Sequence, residues 1–354
     1  MLTIFNEFLY QAPDYANEKD WGGLIGFPFN AVIVWPMGTP AGAALFTHPK
    51  LNAMVKKMFD VLAVFLTGKK SRYVLNKQTG WLSPDALATL SVPPYDDPQN
   101  DDPQKSIAFD KAFVCNPEDD HYGFGSWDAF FVREFAKGIR PVEDPHNNNV
   151  IVSACESDVY RIANHVKEMD KFWVKGQPYS LHHMLAGDPR YGPYFKGGTV
   201  YQAFLSARSY HRWHAPVSGK VVKIVFVPGT YYAACPGLDT PDPAATDLSQ
   251  PYITQLATRV LVFIEADNKK IGTMCFIAVG MSEVSTCQIT VQDNDHVKKG
   301  EEIGMFHFGG STHCLVFRKE ANLKFVYNGG QLPYYPGPKD KVHACLHRKI
   351  ADVL

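Results

Sequence analysis

A serine that follows two glycines near the end of the chain is the residue best suited to unusual chemistry. It lies in the stretch Gly304-Met-Phe-His-Phe-Gly-Gly-Ser311-Thr312. Glycine has no Cβ, so the backbone can take a positive φ and the Ser311 hydroxyl can approach the carbonyl of Gly310. The alternative is an ordinary turn in which Ser311 and Thr312 only make local hydrogen bonds, because Gly and Ser are common turn residues.

Two histidines and one carboxylate are the candidates to activate that hydroxyl. His211 and His214 lie in Ser209-Tyr-His-Arg-Trp-His214, and Glu156 follows the apolar run Val150-Ile-Val152. A carboxylate beside an imidazole fixes its tautomer and stabilises the imidazolium, as in a serine, histidine and acid set. Taken one at a time, two structural histidines and a surface Glu156 remain the alternative.

The spacing of the two histidines also bears on metal binding. In an extended segment, residues three apart point to opposite faces, so His211 and His214 would have different roles. A tight turn would bring them together and make zinc conceivable. No cysteine or carboxylate lies at ligand spacing from them, so we predict no metal site.

The segment before Ser311 offers a non-catalytic alternative. Its turn, Lys299-Gly-Glu-Glu-Ile-Gly304, is of a kind found in lipoyl and biotinyl carrier modules. A carrier lysine needs a protruding hairpin tip, whereas Lys298 and Lys299 precede the turn. A lipoyl-like binding module therefore stays a second class of function.

Helical patterns occupy the N-terminal part of the chain. Residues 1–45 are rich in aromatic residues, Gly and Pro, and we expect irregular packing there, including the apolar piece Ala31-Val-Ile-Val-Trp35. Apolar residues at helical spacing predict a helix from Thr47 to Gly68 with Met54 in its buried stripe. N-cap residues predict further helices at Ser83 to Leu90 and Ser126 to Gly138.

Short β-branched and aromatic runs separated by Gly and Pro follow Asn149, and they predict strands. We therefore expect an α+β fold with a mainly helical region, 1–145, and a β-rich region, 146–354. The Pro- and Asp-rich segment from Pro236 to Pro251 is predicted to be a surface loop. The strand-like runs are Val150–Val152, Thr199–Leu205, Lys220–Val227, Arg259–Ile264, Ile271–Val279 and Val284–Val291.

Composition excludes some partners and favours one compartment. The formal net charge of -1 gives no electrostatic reason to expect nucleic acid. The seven cysteines form no C-x-x-C pair, which fits a reducing compartment. We find no signal peptide and no apolar run long enough to span a bilayer. A cytoplasmic protein with a small-molecule substrate is the expectation.

Four motifs in order resemble the phosphatidylserine decarboxylase family. They are Phe130-Phe-x-Arg133 with Arg140-Pro141, Ser153-x-x-Glu156, Tyr210-His-Arg-x-His214-x-Pro-x-x-Gly219 and Lys299-Gly-Glu-x-x-Gly304-x-Phe-x-x-Gly-Gly-Ser311-Thr312. Strings such as Ala154-Cys-Glu-Ser157 and Tyr210-His-Arg-Trp-His-Ala-Pro-Val217 are closest to a soluble fungal branch of that family, the L-tryptophan decarboxylases.

The resemblance implies a proenzyme that cuts itself between Gly310 and Ser311. The Ser311 hydroxyl attacks the Gly310 carbonyl, an ester forms, and elimination and hydrolysis leave an N-terminal pyruvoyl group. By resemblance His214 is the general base, Glu156 orients it, and His211 places the substrate carboxylate or reprotonates the product. The β-chain (1–310) and the α-chain (311–354) are expected to remain associated.

The resemblance further implies that the pyruvoyl carbonyl serves as the electron sink for decarboxylation, so no PLP is needed. The lipid-acting members usually carry an acid before Tyr-His, where this chain has Ser209. It also lacks an obvious membrane-binding segment, which argues against a phospholipid. We predict an aromatic L-amino acid as substrate, with tryptophan first. Phosphatidylserine is the alternative, because the residues after Thr312 differ from those of the tryptophan enzymes.

Overall fold

A computed structural model describes residues 2–15, 28–100, 102–170, 178–235, 249–283, 286–308, 311–327 and 342–354. Most of the described helices lie before residue 150, and the strands begin at Val150. The α-helices are α1 (Leu2–Phe8), α2 (Pro28–Met37), α3 (Pro40–Phe46), α4 (Pro49–Leu66), α5 (Pro84–Thr89), α6 (Phe109–Ala112), α7 (Trp127–Phe131), α8 (Leu181–Met184), α9 (Tyr191–Phe195) and α10 (Gln250–Leu256).

The expectation of irregular packing before residue 45 is wrong for residues 2–8, 28–37 and 40–45, which are helical, whereas residues 9–15 are irregular. The apolar piece Ala31–Trp35 lies inside α2, which begins at Pro28, a residue favoured in the first turn. The N-terminus of α2 is completed from far along the chain. Glu283 Oε1 accepts hydrogen bonds from the backbone N–H groups of Phe29 (2.7 Å) and Asn30 (3.1 Å). This partner is too distant in sequence to be recognised from a local pattern.

The helices predicted from caps and periodicity are confirmed at α4 and α5. Ser83 caps α5 by accepting a hydrogen bond from the backbone N–H of Ala86. In α4 the buried stripe contains Val55 and Leu62 as expected. Met54, however, is 65% exposed, so its assignment to the core is wrong.

The helix predicted from Ser126 to Gly138 is much shorter than expected. Ser126 caps α7 as predicted, but α7 ends at Phe131. The following residues pair instead with another segment, because Phe135 forms an antiparallel β-bridge with Phe113. Contacts distant in sequence therefore override the helical pattern.

Antiparallel pairing organises the second half of the chain. The strands are β1 (Val150–Val152), β2 (Ser157–Ala163), β3 (Thr199–Leu205), β4 (Arg212–His214), β5 (Gly219–Val227), β6 (Arg259–Ala266), β7 (Thr273–Gly280), β8 (Thr286–Ile289), β9 (His296–Val297), β10 (Glu302–His307), β11 (Ser311–Phe317), β12 (Leu323–Phe325), β13 (His343–Ala344) and β14 (Lys349–Val353). An eight-stranded sheet has the order β13-β2-β3-β11-β7-β6-β5-β9, and smaller sheets have the orders β4-β10-β8 and β1-β14-β12.

The predicted strands are confirmed in the described residues, and the fold is α+β as expected. Residues 284–285 and 236–248, parts of one predicted strand and of the predicted surface loop, lie outside the described residues. Pro251, expected in that loop, lies instead in α10. The helical and β-rich regions share a hydrophobic core, since Phe59 of α4 packs against Tyr231 with ring centroids 5.2 Å apart. The boundary at residue 146 stays a prediction.

Titration of Glu283 should make stability depend on pH. Burial raises the pKa of this carboxyl from 4.5 to about 7. A raised pKa means that the folded state binds the proton more tightly. The stabilisation that the folded state gains from binding this proton is therefore complete below pH 4.5 and is lost as the pH rises through about 7. Glu283→Gln should flatten the fall in unfolding free energy over that interval, measured by urea denaturation at several pH values.

The exposed Glu320 provides the matched control. Glu320→Gln should leave the pH profile of the wild type unchanged. A Glu283→Gln profile that is as steep as that of the wild type would contradict the assignment.

Candidate active site

Ser311 is the first residue of β11, in the middle of the eight-stranded sheet. It pairs with Leu205 at the end of β3 and with Gly280 at the end of β7. Its side chain is fully buried, and its Oγ has no hydrogen-bond partner among the described residues. Buried hydroxyl groups are normally paired, so this oxygen is a candidate for chemistry. Gly310 lies outside the described residues.

The two histidines lie at opposite ends of the short strand β4. His214 is its last residue and pairs with Glu302 at the start of β10. His211 precedes β4, and its carbonyl accepts a hydrogen bond from the Phe306 N–H at 2.9 Å. Phe306 is near the end of β10 that leads to Ser311. The two imidazoles therefore occupy different environments, as the expectation of different roles requires.

The surroundings of His214 fix a neutral imidazole. Its Nδ1 lies 2.9 Å from the Gly300 carbonyl. A carbonyl only accepts, so Nδ1 carries the hydrogen and Nε2 keeps a lone pair. Nε2 lies 3.4 Å from the Tyr210 hydroxyl. Burial, with a further contribution from His347, lowers the pKa of His214 to about 3. His214 is thus unprotonated and able to accept a proton at Nε2.

His211 is more deeply enclosed than His214. It is fully buried, and its ring stacks on that of Phe131 with centroids 4.0 Å apart. Neither ring nitrogen meets hydrogen-bond geometry within the described ranges, although the Ser206 backbone lies close enough to act on the pKa of the ring. Burial lowers the pKa of His211 well below its usual value, so this ring is also neutral.

Glu156 is buried in an ion pair that the sequence did not reveal. Its carboxylate accepts two hydrogen bonds from Arg140, at 2.8 Å from Nε and 2.6 Å from Nη2. His343 Nε2 and the Leu346 N–H contribute two more bonds, at 2.9 and 2.8 Å. Burial opposes ionisation, but Arg140 and His343 hold the pKa of Glu156 well below its usual range. Glu156 is therefore a buried, ionised carboxylate.

No hydrogen bond joins Glu156 to His214 within the described part of the chain. They are linked indirectly through His347, whose Nδ1 lies 2.7 Å from the Arg140 carbonyl. The His347 ring also meets that of His214 edge-on, with centroids 4.7 Å apart. The role of Glu156 as an orienting acid stays a prediction, and Gly300 is the group that holds His214 Nδ1.

The C-terminal run His343-Ala-Cys345-Leu-His347 supplies partners that sequence reasoning missed. Its residues contact Glu156 and His214, and the only signal in the sequence was the alternation of His and Cys. Glu156, His343 and Cys345 form the group in the described residues that offers metal-ligand atoms within 4.8 Å of one another. Arg140 already neutralises this carboxylate. Burial opposes protonation of His343, but bonds to Asp158, Cys345 and Glu156 raise its pKa well above the usual value. A metal would have to displace that proton before His343 could act as a ligand.

Arg133 and Arg140, both quoted in the family motifs, are buried. Lys299 is also buried. Its Nζ donates hydrogen bonds to the carbonyls of Asp144 (2.6 Å), Asn147 (2.9 Å) and Val150 (3.1 Å). A lysine held in this way does not act as the attachment point of a carrier module.

The described elements combine an α+β fold with a buried serine at the start of a central strand and two neutral imidazoles at the two ends of β4, which lies in the β4-β10-β8 sheet. Residues 127–342 match the model of the family described as "Phosphatidylserine decarboxylase". Residues 1–90 match a second family model that also describes a phosphatidylserine decarboxylase. The chain belongs to the phosphatidylserine decarboxylase family. It is a decarboxylase, and the members of this family use a pyruvoyl group.

Curated relatives match most of the chain. An "L-tryptophan decarboxylase" of Psilocybe cubensis is 40% identical over 342 residues, which are 92% of this chain and 74% of that protein. "Decarboxylase iboD" of Amanita muscaria is 43% identical over 312 residues, 85% of this chain and 86% of that protein. A "Phosphatidylserine decarboxylase proenzyme 2" of Oryza sativa is 31% identical over 198 residues, 56% of this chain and 30% of that protein.

Among the described residues, no helix has both the length and the apolar character needed to cross a membrane.

The Arg140–Glu156 pair should contribute strongly to stability. Both side chains are almost fully buried, with 1% and 5% exposure. Replacing Arg140 by Met would leave a buried carboxylate without its main partner, which costs about 3–5 kcal/mol. The unfolding free energy of Arg140→Met, measured by urea denaturation, should fall by that amount.

The exposed pair Lys56–Asp60 is the matched control. Lys56→Met should change the unfolding free energy by less than about 1 kcal/mol, because exposed pairs contribute little. Equal losses in the two variants would show that burial of the Arg140 pair has no special effect.

Proposed function

We propose that this enzyme cuts itself between Gly310 and Ser311 and then decarboxylates an aromatic L-amino acid, with tryptophan first and phenylalanine or tyrosine next. The observation that carries the proposal is the buried Ser311 Oγ, which lacks a hydrogen-bond partner in the described residues and follows two glycines in sequence. A hydroxyl in that state is free to attack the preceding carbonyl.

His214 is the proposed general base for self-cleavage. Its support is the Nδ1 contact with Gly300, which leaves the lone pair on Nε2, where the one described partner is the Tyr210 hydroxyl at 3.4 Å. Glu156 acts with Arg140 and His347 to hold the surroundings of His214. His211 is proposed to place the substrate carboxylate or to protonate the product, and its unpartnered ring nitrogens suit such contacts.

The pyruvoyl group formed from Ser311 supplies an electron sink for the pair of electrons left by CO₂, so PLP is not required. The two chains are proposed to remain associated. This is supported by the position of β11 between β3 and β7, and by the pairing of β14 with β1 and of β13 with β2, which no cut before Ser311 would remove. A cytoplasmic location stays a prediction.

The substrate is the least constrained part of the proposal. Two relatives named L-tryptophan decarboxylase support tryptophan. The relative named "Decarboxylase iboD" is similar at 43% identity, and its name states no substrate. Phosphatidylserine stays the alternative, since proteins with that name match about half of the chain.

Self-cleavage should depend on the hydroxyl oxygen of Ser311. Ser311→Ala should give a single chain of 39.6 kDa in intact-mass analysis, because no hydroxyl is left to attack. The wild type should give two chains, of which the smaller carries a carbonyl that reacts with hydroxylamine. His214→Ala should also remain uncut, because the proton acceptor is lost.

The control for this experiment is Ser91→Ala, which removes a hydroxyl that only bonds the Ala88 carbonyl. That variant should cut normally. An uncut wild type without a reactive carbonyl would overturn the proposal of self-cleavage. Normal cleavage in His214→Ala, with none in His211→Ala, would move the base role to His211.

A substrate panel should separate the two enzyme hypotheses. Release of CO₂ from tryptophan, phenylalanine, tyrosine and phosphatidylserine is compared at equal concentrations, with uncut Ser311→Ala as the blank. We expect the highest kcat/KM for tryptophan. Release from phosphatidylserine in vesicles, with none from the amino acids, would replace the proposal by the lipid decarboxylase.

A further inference from the structure

One face of β11 carries Ser311 together with a second polar residue, His313. Side chains alternate along a strand, so residues 311, 313 and 315 lie on the same face, and Thr312 and Cys314 lie on the other. The pairing supports this assignment. Leu315 and its partners Tyr201 and Phe276 belong to one hydrophobic cluster, whereas Cys314 belongs to another.

The residues beside Ser311 and His313 on this face are small. Gly280 pairs with Ser311, and Ala203 and Ala278 flank His313 on the neighbouring strands. None of these three has a side chain larger than a methyl group. The directly paired positions are therefore small, and the aromatic contacts of the His313 ring come from residues further along these two strands.

Buried polar atoms without hydrogen bonds are concentrated on this side of the sheet. Each such atom in a folded protein calls for an explanation, and a polar substrate that completes the set is one. Among the described residues they include the side-chain polar atoms of Tyr201, His211, Trp213, Ser311 and His313.

His313 is the member of this group whose chemistry points to a ligand. It is fully buried, and its ring lies against that of Phe276 with centroids 5.8 Å apart and an angle of 24°. Neither ring nitrogen meets hydrogen-bond geometry within the described residues, although the Ala203 backbone lies close enough to act on the pKa of the ring. Burial lowers the pKa of His313 to about 3, so the ring is neutral. A neutral imidazole offers one N–H and one lone pair.

We propose that His313 is a specificity-determining residue of this active site, whose ring nitrogen accepts a hydrogen bond from the ring N–H of an indole substrate. The inference rests on the proposed function. Adjacent residues of the same face are about 7 Å apart along a strand, which is comparable to the length of a tryptophan side chain. A substrate joined at position 311 would therefore extend its ring to the neighbourhood of His313.

A neutral His313 imidazole is better suited to bind the ring N–H of the substrate than the substrate carboxylate. A neutral imidazole in an apolar wall provides no positive charge for a carboxylate. It does pair well with an N–H, and a site built to bind such a group discriminates against an analogue that lacks it. The aromatic rings of Phe276 and Trp213, whose centroids are 5.5 Å apart, provide the apolar part of that wall.

The test compares two substrates that differ only in the ring N–H. L-3-Benzothienylalanine has the shape of tryptophan with sulfur in place of N–H. The self-cleaved wild type should prefer tryptophan by about tenfold in kcat/KM, the effect of one hydrogen bond. His313→Leu should abolish this preference, whereas His313→Gln, which keeps an acceptor, should retain part of it.

A binding measurement provides a readout apart from turnover. Indole-3-propionate and benzothiophene-3-propionate lack the amino group and are not decarboxylated. Their dissociation constants, measured by calorimetry on each cleaved variant, should show the same preference and the same loss in His313→Leu. Cys314→Ala, on the opposite face of β11, is the control and should keep the wild-type ratio.

The outcomes separate this inference from the proposed function. Intact mass first establishes that each variant is cut, and if His313→Leu is not, His313→Gln and His313→Asn are compared instead. A cut wild type that decarboxylates tryptophan without preferring it to benzothienylalanine would overturn the inference alone, as would an unchanged ratio in the His313 variants. Absence of aromatic amino-acid decarboxylation by the wild type would overturn the proposed function and this inference with it.

Discussion

The pairing of β11 between β3 and β7 is the constraint on which the rest of this structure depends. It holds Ser311 in the centre of a sheet, where water cannot satisfy its hydroxyl and where neighbouring strands fix the backbone on both sides. In sequence, β11 follows the dipeptide Gly309-Gly310. Because β11 is paired on both sides, the backbone is held by neighbouring strands from Ser311 onward. The position of the proposed cut is therefore set by the sheet.

Near this strand, Glu156, Arg140 and His343 form a buried charged cluster, and the imidazoles around Ser311 are neutral. Glu156 is ionised because Arg140 and His343 surround it, while burial keeps His211, His214 and His313 neutral. This separation suits a reaction in which a substrate carboxylate loses its charge as CO₂, since cations near that group would stabilise the starting state. It also explains why the C-terminal run is needed, because His343 and His347 connect the charged cluster to His214.

Local patterns predicted the strands and capped helices well, because runs such as Thr199–Leu205 and caps such as Ser83 depend on nearby residues. Failures came where a distant partner decides the structure. Glu283 accepts hydrogen bonds at the N-terminus of the helix that contains Ala31–Trp35. Beyond the end of α7, Phe135 pairs with Phe113 instead of continuing the helix. The same limit applies to the site. Motifs singled out Ser311, His211, His214, Glu156 and Arg140 as candidates, whereas the contacts that Arg140, His343 and His347 make depend on tertiary structure that no spacing reveals.

The central position of β11 also has a consequence for the life of the molecule. A cut before Ser311 would turn a strand in the middle of the sheet into the start of a separate polypeptide. Unfolding would then release two chains whose reassembly is bimolecular and slows on dilution, whereas the precursor folds as one chain. The serine, once converted, could not be restored. Such an enzyme would depend on slow unfolding for its lifetime, and each molecule would be made active once and never renewed.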